Sequence, residues 1–202
     1  MADISQKVRT LSMRAWQIRR KAPAPCRLPF SLALFTDDRR QRDIILALKQ
    51  LPSAQLIPPL GVIFRHDGLP PAARQALGQE ARHITQMKGH YFIYARGKLK
   101  GADGHHGGKL SSLGFTTMPV HNLREGQQAQ SRHSALDVGF ISPLFPTQSH
   151  PGALALGVVK GANMAKALPF PCFALGGITP ATAKRLVGSP FQGIAALGAF
   201  TE

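Results

Sequence analysis

The chain has 202 residues, 44% hydrophobic and 17% charged, which suits one soluble globular core and argues against a second full domain. No apolar run approaches the roughly 20 residues that span a bilayer, and the N-terminus lacks the apolar middle region of a secretory signal, so a cytoplasmic protein is expected. Lys and Arg number 25 against 10 acids, a formal charge of +15, which favours phosphorylated ligands. Nucleic acid is not indicated, because one Trp and two Tyr are not interleaved with the basic residues and no known module is present.

Residues Met1 to Pro29 read as a basic N-terminal extension, with Lys7, Arg9, Arg14, Arg19, Arg20, Lys21 and Arg27 facing a single acid, Asp3. Ile4, Val8, Leu11, Ala15 and Ile18 recur at helical spacing and predict a helix over Ile4–Ile18, ended by Pro23 and Pro25. The simplest reading is a solvated appendage laid across one end of the main body. From Pro29 a strand-then-helix rhythm begins. Ser31–Asp37 is a predicted strand, followed by a helix to about Leu51. Gly61–Arg65 is a second strand, and Pro70-Pro71 opens a helix to about Lys88. Tyr91–Ala95, Gly104–His106 and Thr116–His121 are the next three, and Arg96–Gly101 is too short to hold a helix between the first two. Leu136–Pro143 is a sixth strand, preceded by a helix over Leu123–Ser131. PCFALGG and QGIAALGAF supply the seventh and eighth.

Eight short strands, mostly followed by helices, predict an α/β fold: a small (β/α)8 TIM barrel over residues 30–202, with residues 1–29 as a partly helical extension. A doubly wound open sheet is the alternative. It calls for a nucleotide-binding glycine loop after the first strand, and Thr36-Asp37-Asp38 is not one. Cys172 lies in an apolar strand and reads as a small core residue; Cys26 is far from it in sequence, with no zinc spacing.

The last two strands end in small residues, Gly176-Gly177 and Gly198-Ala199. Adjacent strand ends with bare backbone N–H groups make a phosphate pocket, which in a β/α barrel lies after strands seven and eight. A tight turn would also use Gly176-Gly177, but two loops point the same way. His121 ends the fifth strand, on the catalytic face of a barrel. Imidazole there suits proton transfer, although an isolated His at a strand end often serves only as a hydrogen-bonding group. His105 and His106 alternate across a strand and cannot readily grip one metal ion together.

The order GADGHHGG, MPVHN, DVGFISPLFPTQSH, ALGGIT and GIAALGAF resembles the thiamine phosphate synthase family and its TenI thiazole tautomerase branch. There the pieces read roughly ADGVHLGQ, GxSxH, ADYxxxGPxFPTxTK, xxGGI and GxAxxSA. The resemblance runs from about Ser31 to Phe200 and implies a (β/α)8 barrel in thiamine biosynthesis. It places Gly176, Gly177, Ala196 and Gly198 at a thiazole phosphate, with Thr147 and Ser149 lining the same ligand. It puts His106 at the HLGQ histidine and His121 at the catalytic histidine, which in the tautomerase moves a proton on the thiazole ring.

The synthase joins a hydroxymethylpyrimidine diphosphate to the thiazole phosphate and uses Mg²⁺. This half of the pattern is altered. Of QxRxK only Arg65 survives, beside Ile63 and Asp67, and Arg65 is expected to pair with a phosphate or with Asp67. Tyr94 and Ala95 stand where the family has Asn-Asp. Ser111 replaces a metal-binding Asp, His150 the diphosphate-binding Lys, and Pro119 the Ser before the histidine. No metal ligand set and no cofactor is therefore expected; Mg²⁺ enters only if the chain works as the synthase. The preferred expectation is TenI-like proton transfer by His121. The alternatives are an active synthase, with Arg65, Lys109 and His150 handling diphosphate, and a non-catalytic thiamine-metabolite binder. Expected partners are phosphorylated small molecules, a thiazole phosphate and the pyrimidine diphosphate, with no membrane. A homo-oligomer is compatible with the sequence.

Overall fold

A computed structural model describes residues 4–23, 25–41, 43–108, 114–132, 136–147, 152 and 154–200. Eight parallel strands close into a barrel in sequence order, each paired with the next and the last with the first. They are β1 (Leu32–Phe35), β2 (Leu60–Phe64), β3 (Tyr91–Ala95), β4 (Gly104–His106), β5 (Phe115–Val120), β6 (Val138–Ile141), β7 (Cys172–Leu175) and β8 (Gly193–Ala196). Parallel neighbours and full closure exclude the open doubly wound sheet. Several strands are shorter than the apolar runs that predict them. Asp37, Arg65 and His121 consequently fall just beyond β1, β2 and β5, at the C-terminal mouth where loops carry chemistry.

The helices are α1 (Ile4–Arg20), α2 (Ile44–Lys49), α3 (Pro71–Met87), α4 (Leu123–Arg132), α5 (Gly157–Ala167) and α6 (Pro180–Lys184). Local chemistry sets their starts. The Asp43 carboxylate accepts from the Leu46 N–H at 2.9 Å and opens α2. Pro71 sits in the first turn of α3, and Thr179 and Thr182 form a reciprocal capping box on α6. No helix separates β3 from β4, as the short Arg96–Gly101 segment predicts. The helix α5 was not among the predicted elements; its Gly161 and Met164 face the core.

The extension differs from its expectation. Rather than crossing one end of the barrel, α1 is built into its flank, against α6, β8 and β1. Val8, Leu11, Ala15 and Ile18 are fully buried there. The same spacing that predicts the helix predicts its buried stripe; where the stripe docks is a tertiary matter. Its first turn lies at the strand C-termini, because Lys7 Nζ donates to the Gly198 carbonyl at 2.6 Å.

Strand alternation splits the core into two layers. Ala33, Phe35, Ile63, Ile93, Phe140 and Phe173 fill the barrel, while Leu34, Val62, Phe64, Tyr94 and Ile194 meet the helices. Phe30 plugs the floor, edge-on to Phe115 and Phe173. It needs Gly61 beneath it, since a Cβ there would lie 2.4 Å from its ring.

Candidate active site

His121 follows β5 and is exposed at the barrel mouth. Its Nδ1 lies 3.0 Å from the Ser142 carbonyl oxygen and 3.3 Å from Ser142 Oγ. A carbonyl only accepts, so Nδ1 carries the proton and Nε2 holds a free electron pair. The main chain is pinned too: the His121 N–H donates to Glu125 Oε2 at 2.9 Å, and Asn122 exchanges hydrogen bonds with Glu125 at 2.8 and 2.9 Å.

The segment after β6 ties this histidine to the glycine loop after β7. Ser142 contacts His121, and the next residues hang on the loop: Leu144 N–H donates to Leu175 O at 2.8 Å and Phe145 N–H to Gly176 O at 3.0 Å. Gly176 and Gly177 have φ of +94° and +64°, a left-handed backbone that side chains resist. A Cβ at Gly177 would lie 2.5 Å from Pro146 O, so the loop needs glycine for space as well as for torsion. Gly198 lies in the neighbouring loop, its carbonyl held by Lys7. The Ala196 side chain packs in the outer layer, so this residue can serve a ligand only through its backbone. Thr147 is half-buried after β6. Ser149 and His150, like Lys109 and Ser111, lie outside the described residues.

The opposite side of the mouth is occupied by ion pairs. Arg65 pairs with Asp37 at 3.0 Å, which corrects the expectation of Asp67 as its acidic partner. Asp67 instead bridges Arg74 at 3.0 Å and Arg96 at 3.1 Å. The Arg65 N–H also donates to Thr36 Oγ1, which lies 2.9 Å from His66 Nδ1. His106 points into the barrel, edge-on to Phe35 and Phe140. The Thr117 hydroxyl spends its proton on His105 O, so it accepts from His106 Nδ1 at 3.0 Å. Burial, with the positive field of Arg65 and Arg96, pushes the His106 pKa down to about 3. His106 is thus a neutral lining residue at pH 7, whereas His121 stands in the open.

Mg²⁺ asks for carboxylate oxygens, and among the described residues no group of three or more His, Cys, Asp or Glu side chains is placed to hold it. Ala95 is an apolar barrel residue. Both Asp67 oxygens are taken by guanidinium groups, and Asp37 is paired with Arg65. Asp103 sits at the entrance of β4, where it accepts from the Phe92 N–H at 2.7 Å.

The fold agrees with what comparison with known proteins shows. A family model described as thiamine monophosphate synthase matches residues 36–200. The chain belongs to the thiamine monophosphate synthase family. Among solved structures, it is similar to thiamine phosphate pyrophosphorylase from Pyrococcus furiosus, with 18% identity, a TM-score of 0.70, and 83% of this chain and 85% of that one covered. It is also similar to the YdjI aldolase from Escherichia coli K12, with 11% identity, a TM-score of 0.57, and coverage of 92% and 79%. An HpcH/HpaI aldolase from Desulfitobacterium hafniense shares 10% identity at a TM-score of 0.51, covering 83% and 85%. These likenesses concern the barrel. A search of curated proteins returns no match. No helix among the described residues is long and apolar enough to cross a membrane.

Several mouth residues of this family member were missed by the sequence reading: Ser142, Lys7, Asp37, Arg74 and Arg96. Ser142 adjoins the SPLFPT motif and could have been flagged for that. The others carry no local signal, because each acts through a partner distant in sequence.

Proposed function

We propose that this family member holds a thiazole phosphate between the loops after β7 and β8, and that His121 moves a proton on the thiazole ring. One observation carries the reading: the Ser142 carbonyl fixes the proton on His121 Nδ1 and leaves Nε2 as the base. An imidazole side chain is suited to giving and taking a proton in general acid–base chemistry. The SPLFP segment supports it further, because one stretch of chain touches both the histidine and the glycine loop. The donor set beside β2 and β3 disfavours divalent-cation chemistry, since guanidinium groups already take up its carboxylate.

The test is proton exchange on the thiazole ring, followed by NMR in D₂O with EDTA present. Exchange should persist with chelator and vanish in His121→Ala. Release of pyrophosphate from hydroxymethylpyrimidine diphosphate, abolished by chelator, would replace this reading with the synthase. Tight thiazole phosphate binding without exchange in either protein would leave a metabolite binder.

A further inference from the structure

The N-terminal helix reaches the barrel mouth and touches the loop after β8. α1 precedes residues 36–200, the part of the chain that the family model covers. It is anchored at both ends. Lys7 Nζ donates to the Gly198 carbonyl at 2.6 Å, across 191 residues of sequence. In its last turn, Arg19 donates to the Leu28 carbonyl at 2.8 Å, ahead of β1. α1 therefore runs from the strand C-termini to the floor, antiparallel to β8 and β1, against which it packs. That is the seat and direction of a helix that follows β8 in a β/α barrel.

Lys7 is not a loose surface lysine. It is half-buried, and Val8 beside it and Leu11 one turn on are fully buried. Packing thus fixes the backbone that carries the ammonium, which lowers the entropy cost of holding it at one oxygen. Gly198 lies two residues beyond β8, in the loop that the proposed function gives to a phosphate. A carbonyl oxygen facing an anion repels it, whereas a backbone N–H attracts it. The peptide after Gly198 is trans and planar, with its C=O and N–H on opposite edges. Holding the carbonyl towards the Lys7 ammonium therefore turns the Ala199 N–H the other way. No acidic residue occurs between Val138 and Thr201, so the loops after β6, β7 and β8 bring no carboxylate to oppose the Lys7 charge.

We infer that Lys7 is a positioning residue for the loop after β8: it draws the Gly198 carbonyl away from the ligand and sets the loop's N–H groups for the thiazole phosphate. The inference rests on the proposed thiazole phosphate site and adds to it a residue from outside the ring of strands.

The test is calorimetric titration of the full chain with the thiazole phosphate and with the same thiazole lacking its phosphate. Titrations are run at a temperature where melting curves show every variant folded. A lysine that only fastened α1 would lower the melting temperature and leave the affinity of the folded protein as it was. Lys7→Met should instead weaken thiazole phosphate binding about tenfold, the effect of a charge-assisted hydrogen bond, and leave the dephosphorylated thiazole unaffected. In the proton-exchange assay it should raise KM with kcat unchanged. Lys7→Arg, which keeps the charge and the donors, should stay within about threefold of wild type. Arg14→Gln, an equal loss of charge further along α1, should change neither affinity. A wild type that binds no thiazole phosphate would overturn the proposed site, and the inference with it. A wild type that binds while Lys7→Met binds equally well would overturn the inference alone. So would an equal loss in Lys7→Arg or Arg14→Gln, or an equal loss for both ligands in Lys7→Met.

Discussion

His121 Nδ1 and the Ser142 carbonyl oxygen stand 3.0 Å apart across the ends of β5 and β6. The two residues are 21 apart in sequence, and the contact decides which imidazole nitrogen can act as a base. Removal of His121 tests that. His121→Ala should reduce ring-proton exchange by about 10²- to 10⁴-fold, the usual worth of a general acid–base. Thiazole phosphate affinity and the melting temperature should stay near wild type, because the residue is exposed.

The glycine loop makes a sharper structural demand. Gly177→Ala places a Cβ 2.5 Å from Pro146 O on a backbone at φ +64°. It should cost about 1–3 kcal/mol in urea denaturation. Thiazole phosphate affinity should fall with it, whereas an alanine at Gly188, which meets no atom within 4 Å, should leave affinity unchanged.

Stability should depend on pH through buried histidines. His106 has a folded pKa of about 3, against an ordinary value of 6.5, and His66 and His90 are shifted down by burial in the same sense. The unfolded chain takes up protons first as pH falls, so the stability is fully present above about pH 6.5 and is lost towards pH 3. His106 alone adds a slope of up to about 1.4 kcal/mol per pH unit in that window. Melting temperatures measured from pH 7 to pH 4 should fall, and less steeply in His106→Gln.

The N-terminal helix should behave as part of the barrel. Leu11→Ala should cost about 2–5 kcal/mol, because Leu11 is fully buried among core residues. Lys7→Gln, which removes the hydrogen bond to Gly198, should cost about 1 kcal/mol. Denaturant titrations that place Leu11→Ala within 0.5 kcal/mol of wild type would mean a dispensable appendage, since changes that small are those of surface positions.

What could be read from the chain was local or repeated. Apolar runs of period two and 3.6, punctuated by Gly and Pro, predict the eight strands and most helices, because burying one face is a property of the segment itself. The placement of the two glycine endings and of His121 at strand C-termini was legible as well, since a strand end in a barrel has a known face. Pairing across the mouth was settled only in three dimensions. Arg65 has Asp67 close by in sequence yet takes Asp37, 28 residues back, because β1 and β2 lie side by side. Asp67 is drawn to Arg74 and Arg96 from two other elements. The seat of α1 follows the same logic. Its buried stripe is written in residues 4–18, but the flank it fills exists only once β8 has closed against β1. Hydrophobic period is a short-range property of a chain, whereas charge pairing and docking depend on which distant segments closure brings together.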